Sequence, residues 1–235
     1  MKLYVYDSCP FCTRVRTFIG LKNIICDIEF LQAGQFPPHI ASRVAKKIVP
    51  ILEVYSEGSN SAVLMQESLD IIAFLDESFG AHLIRDYVVS NGINRLLGSI
   101  AKASSKLCYP RMPQLALPEL QSDHAKAFFI QSREERMGCS FSEALSHSDE
   151  VAGEVLAGLI TLNSQLLLNA LLINKRGITL DDIATFAELR NLSMVHELQL
   201  PEPMKLFADY IAKQSGIPLF HPICKLGHSK EVIND

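Results

Sequence analysis

This chain has no excess of positive charge: 22 Lys and Arg stand against 26 Asp and Glu, a formal net charge of −4. A nucleic-acid partner, which requires a cationic surface to displace counterions, is therefore not expected. It also lacks a long uninterrupted apolar run. The most apolar window, residues 155–173, is broken by Asn163, Ser164, Gln165 and Asn169, which suits a buried helix better than a membrane span. At the N-terminus, Leu3 to Tyr6 give way to Asp7, too short a stretch for the core of a signal peptide. With no targeting address the chain is assigned to the cytoplasm, where thiols are kept reduced. Its six cysteines are then not a disulfide framework. Internal repeats and low-complexity tracts are absent as well.

What is present begins with 48% apolar residues, enough for a sizeable core in 235 residues without metals or disulfides. KLYVY at 2–6 reads as a strand, and residues 10–23 turn helical, with Val15, Phe18 and Ile19 as the apolar centre. Pro10 suits a first helical position, where its missing N–H has no partner to lose. IICDIEFL at 24–31 supplies a second strand and completes a βαβ unit. A weak helix around 38–47 follows. VPILEVY and AVLM then read as an antiparallel pair across the SEGSNS turn at 56–61, and ESLDIIAFLDES at 67–78 as a helix. After Gly80 no strand is expected. Helical segments are predicted at 84–108, 118–137, 140–173, 180–196 and 201–215, with breaks marked by Pro110, Pro113, Pro118, Pro201 and Pro203. Thr179 and Asp182, with Ile178 and Ile183, form the signature of a capping box and hydrophobic staple. The expected organisation is an α/β domain, βαβαββα, over residues 1–78, a linker at 79–89 and an all-helical domain over 90–235.

The chemistry concentrates in YDSCPFCTRVR, residues 6–16. Cys9 and Cys12 are the one close pair among the cysteines. If Cys9 ends the loop and Pro10 opens the helix, unpaired N–H groups and the positive end of the helix dipole point at Cys9 and favour its thiolate. A free cysteine is only about 3% thiolate at neutral pH, and such placement lowers the pKa. Cys12 lies one turn on, within bonding reach. Arg14 and Arg16 add positive charge, although a solvated helix face explains them equally well. Structural zinc needs four ligands; there is no second CxxC, and His221, Cys224 and His228 in the tail do not complete a set. A metal site is therefore not expected. A coincidental pair of buried cysteines stays open, but a CxxC at the strand-to-helix turn of a βαβ unit reads first as a thioredoxin-like redox site.

CPFC in this setting resembles the glutaredoxin motif, with Phe11 where tyrosine is common. FIGLKNI at 18–24, VPIL at 49–52, QESLDI at 66–71, LCYPRM near 110 and LRNLSMV at 189–195 extend the resemblance to the two-domain bacterial glutaredoxins, over nearly the whole chain up to about residue 220. That family has a glutathione S-transferase-like fold, a thioredoxin-like domain followed by a helical one. The resemblance implies a glutathione-dependent thiol–disulfide oxidoreductase with Cys9 as attacking and Cys12 as resolving thiol. Pro10 and Arg16 would support the thiolate. Glutathione would be a co-substrate beside no tightly bound cofactor. Val49 would pair its backbone with the cysteinyl part of glutathione at a cis Val49–Pro50 bond, and Glu67 and Ser68 would receive the γ-glutamyl group. Ser68 also reads as an ordinary N-cap. Partners implied are glutathione and glutathionylated or disulfide-bonded proteins, with the chain a monomer away from membranes and nucleic acid. A glutathione transferase, a non-enzymatic scaffold of the same fold and an iron–sulfur-carrying glutaredoxin are the alternatives.

Overall fold

In a computed structural model of the chain, the described residues are 1–55, 62–173 and 175–222. The expected 56–61 turn, Cys224, His228 and the KLGHSKEVIND tail lie outside them. The first strand β1 (Lys2–Val5) leads into α1 (Pro10–Leu21) and then β2 (Asp27–Phe30), which pairs parallel with β1 so that Leu3 faces Ile28. A single turn, α2 (Pro38–Ala41), precedes the antiparallel pair β3 (Ile51–Tyr55) and β4 (Ala62–Met65), and α3 (Ser68–Ser78) follows. Among the described residues the sheet has four strands in the order β2-β1-β3-β4, with β3 antiparallel to β1. This is the expected βαβαββα order. Its central strands bury Leu3, Val5, Ile51 and Leu52 completely, under Val15 and Phe18 of α1 and Ile71, Ile72 and Leu75 of α3. Each such side chain contributes about 1.5–3 kcal/mol of burial free energy.

Two expectations for this half are trimmed. The second strand starts at Asp27, not residue 24, because Asn23 takes a left-handed turn (φ 52°) that tucks Ile24 inward and leaves Ile25 94% exposed. The helix expected over 38–47 stops at Ala41.

The second half is helical: α4 (Asn91–Cys108), α5 (Asp123–Met137), α6 (Phe141–Ser146), α7 (Ser148–Gln165), α8 (Leu168–Leu172), α9 (Leu180–Leu192) and α10 (Glu202–Ser215), with 3-10 turns at Met112–Gln114 and Pro118–Leu120. On α4, Ile93, Leu97, Ile100 and Leu107 recur at helical spacing and pack with Val155, Leu159 and Leu162 of α7 in one core. Almost every side chain of α9 is buried, since it is wedged between α1 and α4. Its capping box forms as expected, with Thr179 N donating to Asp182 at 2.8 Å and Asp182 N to Thr179 Oγ1 at 3.4 Å.

The helix expected over 140–173 is three helices, broken at His147 and around Leu166 and Leu167, where the backbone leaves helical angles. The one expected from residue 84 begins only at Asn91. Asp76, fully buried at the end of α3, explains the delay: its carboxylate accepts from Leu83 N, Ile84 N and the Tyr87 hydroxyl at 2.9–3.1 Å. Lys22 at the end of α1 pairs with the same carboxylate. Residues 84–87, expected in helix, instead wrap a buried anion. The two halves meet closely where α1 crosses α10. A Cβ on Gly20 would stand 1.9 Å from the Ser215 carbonyl oxygen, so only glycine fits there.

Candidate active site

The loop after β1 delivers Cys9 to the N-cap of α1 in extended conformation (φ −79°, ψ 119°), with Pro10 at the first helical position. Cys9 is half-buried, Cys12 is sealed one turn below it, and both are free thiols. The Cys12 thiol donates to the Cys9 sulfur, and this hydrogen bond is the main cause lowering the Cys9 pKa below that of an ordinary thiol. Burial pushes the other way; the N–H groups of Cys12 and Phe11 add to the lowering, and the nearby Glu119 carboxylate opposes it. Cys12 moves in the opposite direction, held well above the ordinary value by burial and then by its hydrogen bond and proximity to Cys9. One sulfur is thus biased toward the anion and its neighbour toward the thiol.

The Cys9 sulfur lies 3.9 Å from the Val49 carbonyl oxygen. The Val49–Pro50 bond is cis, as the resemblance implies. Beside it opens a cleft of about 240 Å³ lined by Phe11, Ile48, Val49, Pro50, Glu67 and Ser68. The four residues expected to hold glutathione therefore line one cleft with Phe11, one of the two residues between the cysteines. Glu67 occupies the N-cap of α3 with a left-handed backbone (φ 65°), costly for a residue with a Cβ and common at binding sites. Ser68 is consequently the first residue of α3, buried at the mouth of its N-terminus, and not the cap itself.

Arg16 departs from expectation. Its guanidinium is paired with Asp7 and stacked 5.1 Å from the Phe30 ring, and its charge acts on Cys12, where it eases the upward shift. The cation whose balance includes Cys9 is Arg14, buried 4.8 Å over the Phe11 ring and facing Glu188 as well. The helical periodicity explains the exchange: Arg16 follows Cys12 by four residues and so lies above it, on the side away from Cys9.

The glutaredoxin 2 of Escherichia coli strain K12 is 31% identical over 221 residues, covering 93% of this chain and 97% of that protein. Residues 92–224 match the family described as glutaredoxin 2, C terminal domain. The chain belongs to the glutaredoxin 2 family. Residues 3–82 match the glutathione S-transferase N-terminal domain. Glutaredoxin 2 of Salmonella typhimurium, solved in complex with glutathione, superimposes with a TM-score of 0.79 at 30% identity, covering 93% of this chain and 95% of that one. FzlA from C. crescentus shares the fold at a TM-score of 0.60 and 17% identity, covering 94% and 95%. The architecture is glutathione S-transferase-like, with a four-stranded mixed sheet followed by a helical domain.

Several residues around the cleft and the Cys9 loop carried no signal in the sequence. Ile48 lines the cleft and is 45% exposed, yet its position before Val49 gave no sign of a surface role. Glu119, Arg190 and Asn191 reach the Cys9 loop from the helical half. Arg190 and Asn191 fall in the LRNL stretch that carried the resemblance, but no spacing announced what they touch. Among the described residues, no group of three or more His, Cys, Asp or Glu is placed to hold a metal ion, and no helix is long and apolar enough to cross a membrane.

Proposed function

We propose that Cys9 is the exchanging thiol and Cys12 the resolving thiol of a glutathione-dependent thiol–disulfide oxidoreductase. As a glutaredoxin 2 the chain is such an oxidoreductase, with glutathione as co-substrate. The observation that carries the residue assignment is the opposed placement and bias of the two sulfurs, one half-exposed with its pKa lowered, the other sealed with its pKa raised. In the proposed cycle the Cys9 thiolate attacks the glutathione sulfur of a protein–glutathione mixed disulfide. The Cys9–glutathione bond forms, and the protein thiolate leaves and takes up a proton. A second glutathione thiolate attacks the bound glutathione sulfur, releasing oxidised glutathione and regenerating the Cys9 thiolate. With a protein disulfide, the Cys9 thiolate first bonds one protein sulfur as the protein's own S–S bond breaks, and the other protein sulfur leaves as a thiolate that takes up a proton. Cys12 then gives up its proton and attacks Cys9, freeing the reduced protein and leaving a Cys9–Cys12 bond that two glutathiones reduce. A low-pKa Cys9 serves both as attacker and as leaving group.

Glutathione would lie in the 240 Å³ cleft with its cysteinyl backbone along Val49 and its γ-glutamyl end at α3. Glu67 would accept from the ammonium, while Ser68 and the N-terminal N–H groups of α3 would donate to the carboxylate. Pro10 opens α1 without blocking a donor, leaving the Phe11 and Cys12 N–H groups to face Cys9. In this reading residues 1–78 form the redox domain, 79–89 the linker and 90–235 the helical domain. The protein works as a monomer in the cytoplasm on glutathionylated or disulfide-bonded proteins. A transferase needs one group to stabilise glutathione thiolate and has no use for a second, buried thiol.

The test uses Cys9→Ser and Cys12→Ser on two substrates. Cys9→Ser is expected to abolish activity on glutathionylated protein. Cys12→Ser is expected to keep most of that activity and to lose reduction of protein disulfides. The reverse pattern sinks the assignment.

A further inference from the structure

The loop that carries Cys9 belongs to the α/β half, yet its polar groups are satisfied from elsewhere. Asp7 N and Ser8 N donate to the two oxygens of Glu119 at 3.0 and 2.8 Å, and Ser8 Oγ donates to the same carboxylate at 2.7 Å. Asp7 O accepts from Arg190 Nη1, whose neighbour Nη2 donates to the Asp7 carboxylate at 2.9 Å. Ser8 O accepts from Asn191 Nδ2 at 2.9 Å. Both backbone N–H groups and both carbonyls of the two residues before Cys9 are therefore partnered by the helical half. Glu119 sits in the Pro118–Leu120 turn and Arg190 and Asn191 in α9. These anchors are themselves fixed. Glu119 and Arg190 are each 1% exposed, and Arg190 also donates to Pro218 O at 2.8 Å and lies 4.0 Å over the Phe220 ring.

Buried backbone groups must find partners, and a strand-to-helix loop supplies few of its own. Without Glu119, two adjacent N–H groups beside Cys9 would be left without their acceptors. The geometry points to Glu119, Arg190 and Asn191 as positioning residues that hold the 7–8 segment so that Cys9 stays at the N-cap of α1, in line with the Cys12 thiol and the Phe11 and Cys12 N–H groups. The helical domain is then part of the redox centre as well as a neighbour of it. None of the three touches the reacting sulfur; they act through Asp7 and Ser8. The carboxylate of Glu119 has an electrostatic cost, since its charge opposes the Cys9 thiolate, and its retention there fits a role in holding two N–H groups and a hydroxyl at once. This inference rests on the reading of Cys9 as the exchanging thiol.

The experiment compares Glu119→Asp and Asn191→Ala with wild type and Cys9→Ser. Glu119→Asp keeps the charge and shortens the reach by one methylene. The readouts are kcat/KM on a glutathionylated peptide and the pH midpoint of Cys9 alkylation in the full chain. Glu119→Asp is expected to lower kcat/KM by on the order of ten- to a hundred-fold, as small misplacements of reacting groups do, and to move the alkylation midpoint up toward that of a free thiol. Asn191→Ala is expected to do the same to a smaller extent. A merely structural role would lower thermal stability and leave the midpoint where it is. Should Glu119→Asp fail to fold, Asn191→Ala, which leaves Glu119 and Arg190 in place, decides by the same two readouts. A folded variant with wild-type midpoint and wild-type kcat/KM overturns the inference. If Cys9→Ser is inactive while both variants behave as wild type, this inference alone fails. If Cys9→Ser keeps activity, the reading of Cys9 itself has failed.

Discussion

The two sides of the redox cleft are built differently. The wall proposed for glutathione, Val49, Pro50, Glu67 and Ser68, comes from one half of the chain, from residues less than twenty positions apart. The loop that presents Cys9 is instead pinned by residues far along the chain: 111 positions separate Ser8 from Glu119 and 183 separate Asp7 from Arg190. Binding geometry can be encoded within a small α/β unit. Holding a reactive sulfur at a helix cap, next to backbone groups that the unit leaves unpartnered, takes a second layer. The comparison predicts that disturbing the contact between the halves alters the chemistry of Cys9, whereas disturbing the wall alters affinity for glutathione.

The largest effect is expected at Asp76, whose carboxylate ties Lys22 at the end of α1 to Leu83, Ile84 and Tyr87. Asp76→Asn leaves the Lys22 ammonium buried without its counter-ion and should cost about 3–5 kcal/mol, read by denaturant unfolding. Burial alone would raise the Asp76 pKa, but the Lys22 hydrogen bond, the Leu83 and Ile84 N–H groups and the Tyr87 hydroxyl outweigh it and bring the value to about 2 from an ordinary 3.8. The sign follows: the unfolded chain holds the proton more tightly. The stabilisation is complete above pH 3.8 and is lost as the pH falls through about 2, which unfolding curves across that window should show for wild type and not for the variant.

Gly20→Ala should come next. Its Cβ would overlap the Ser215 carbonyl, so α1 and α10 must separate, at a cost of about 3 kcal/mol that exceeds the gain in helix propensity. Because α1 also carries Cys12 and is capped by Cys9, Cys9 alkylation at neutral pH should slow while glutathione affinity changes little. An unchanged alkylation rate with weakened glutathione binding would break the comparison. The smallest effect is expected from Ser68→Ala. Losing one donor to a carboxylate should raise KM for glutathione about ten-fold, with kcat and the alkylation midpoint of Cys9 unchanged. A shifted midpoint would mean that the wall and the loop are not separable.

The parts of this protein that could be read from its letters share a physical property: they depend on neighbours a few residues away. Proline directly after Cys9 marks a helix start, Cys12 one turn on marks a reachable partner, and Thr179 with Asp182 marks a cap. Each was found where its spacing put it. The strand and helix order was legible for the same reason, because periods of two and 3.6 residues are local signals. Element ends were less so. The delayed start of α4 depends on a buried carboxylate at Asp76 capturing N–H groups from residues 83 and 84. The charge near Cys9 was less legible: Arg14 is buried beside Glu188 of α9, a neighbour far along the chain, while Arg16 pairs with Asp7 in the loop before Cys9.

By itself the sequence determined the two-part architecture, the cysteine pair at a helix cap and the membership of a glutathione-using family. Those follow from local geometry and from motifs strung along the chain. Only the tertiary structure decided which groups hold the loop before Cys9 and what balance of charges surrounds its sulfur. Hydrogen bonds and fields act through space, and the residues that supply them here, Glu119, Arg190 and Asn191, become neighbours of Cys9 only when the helical half docks on α1.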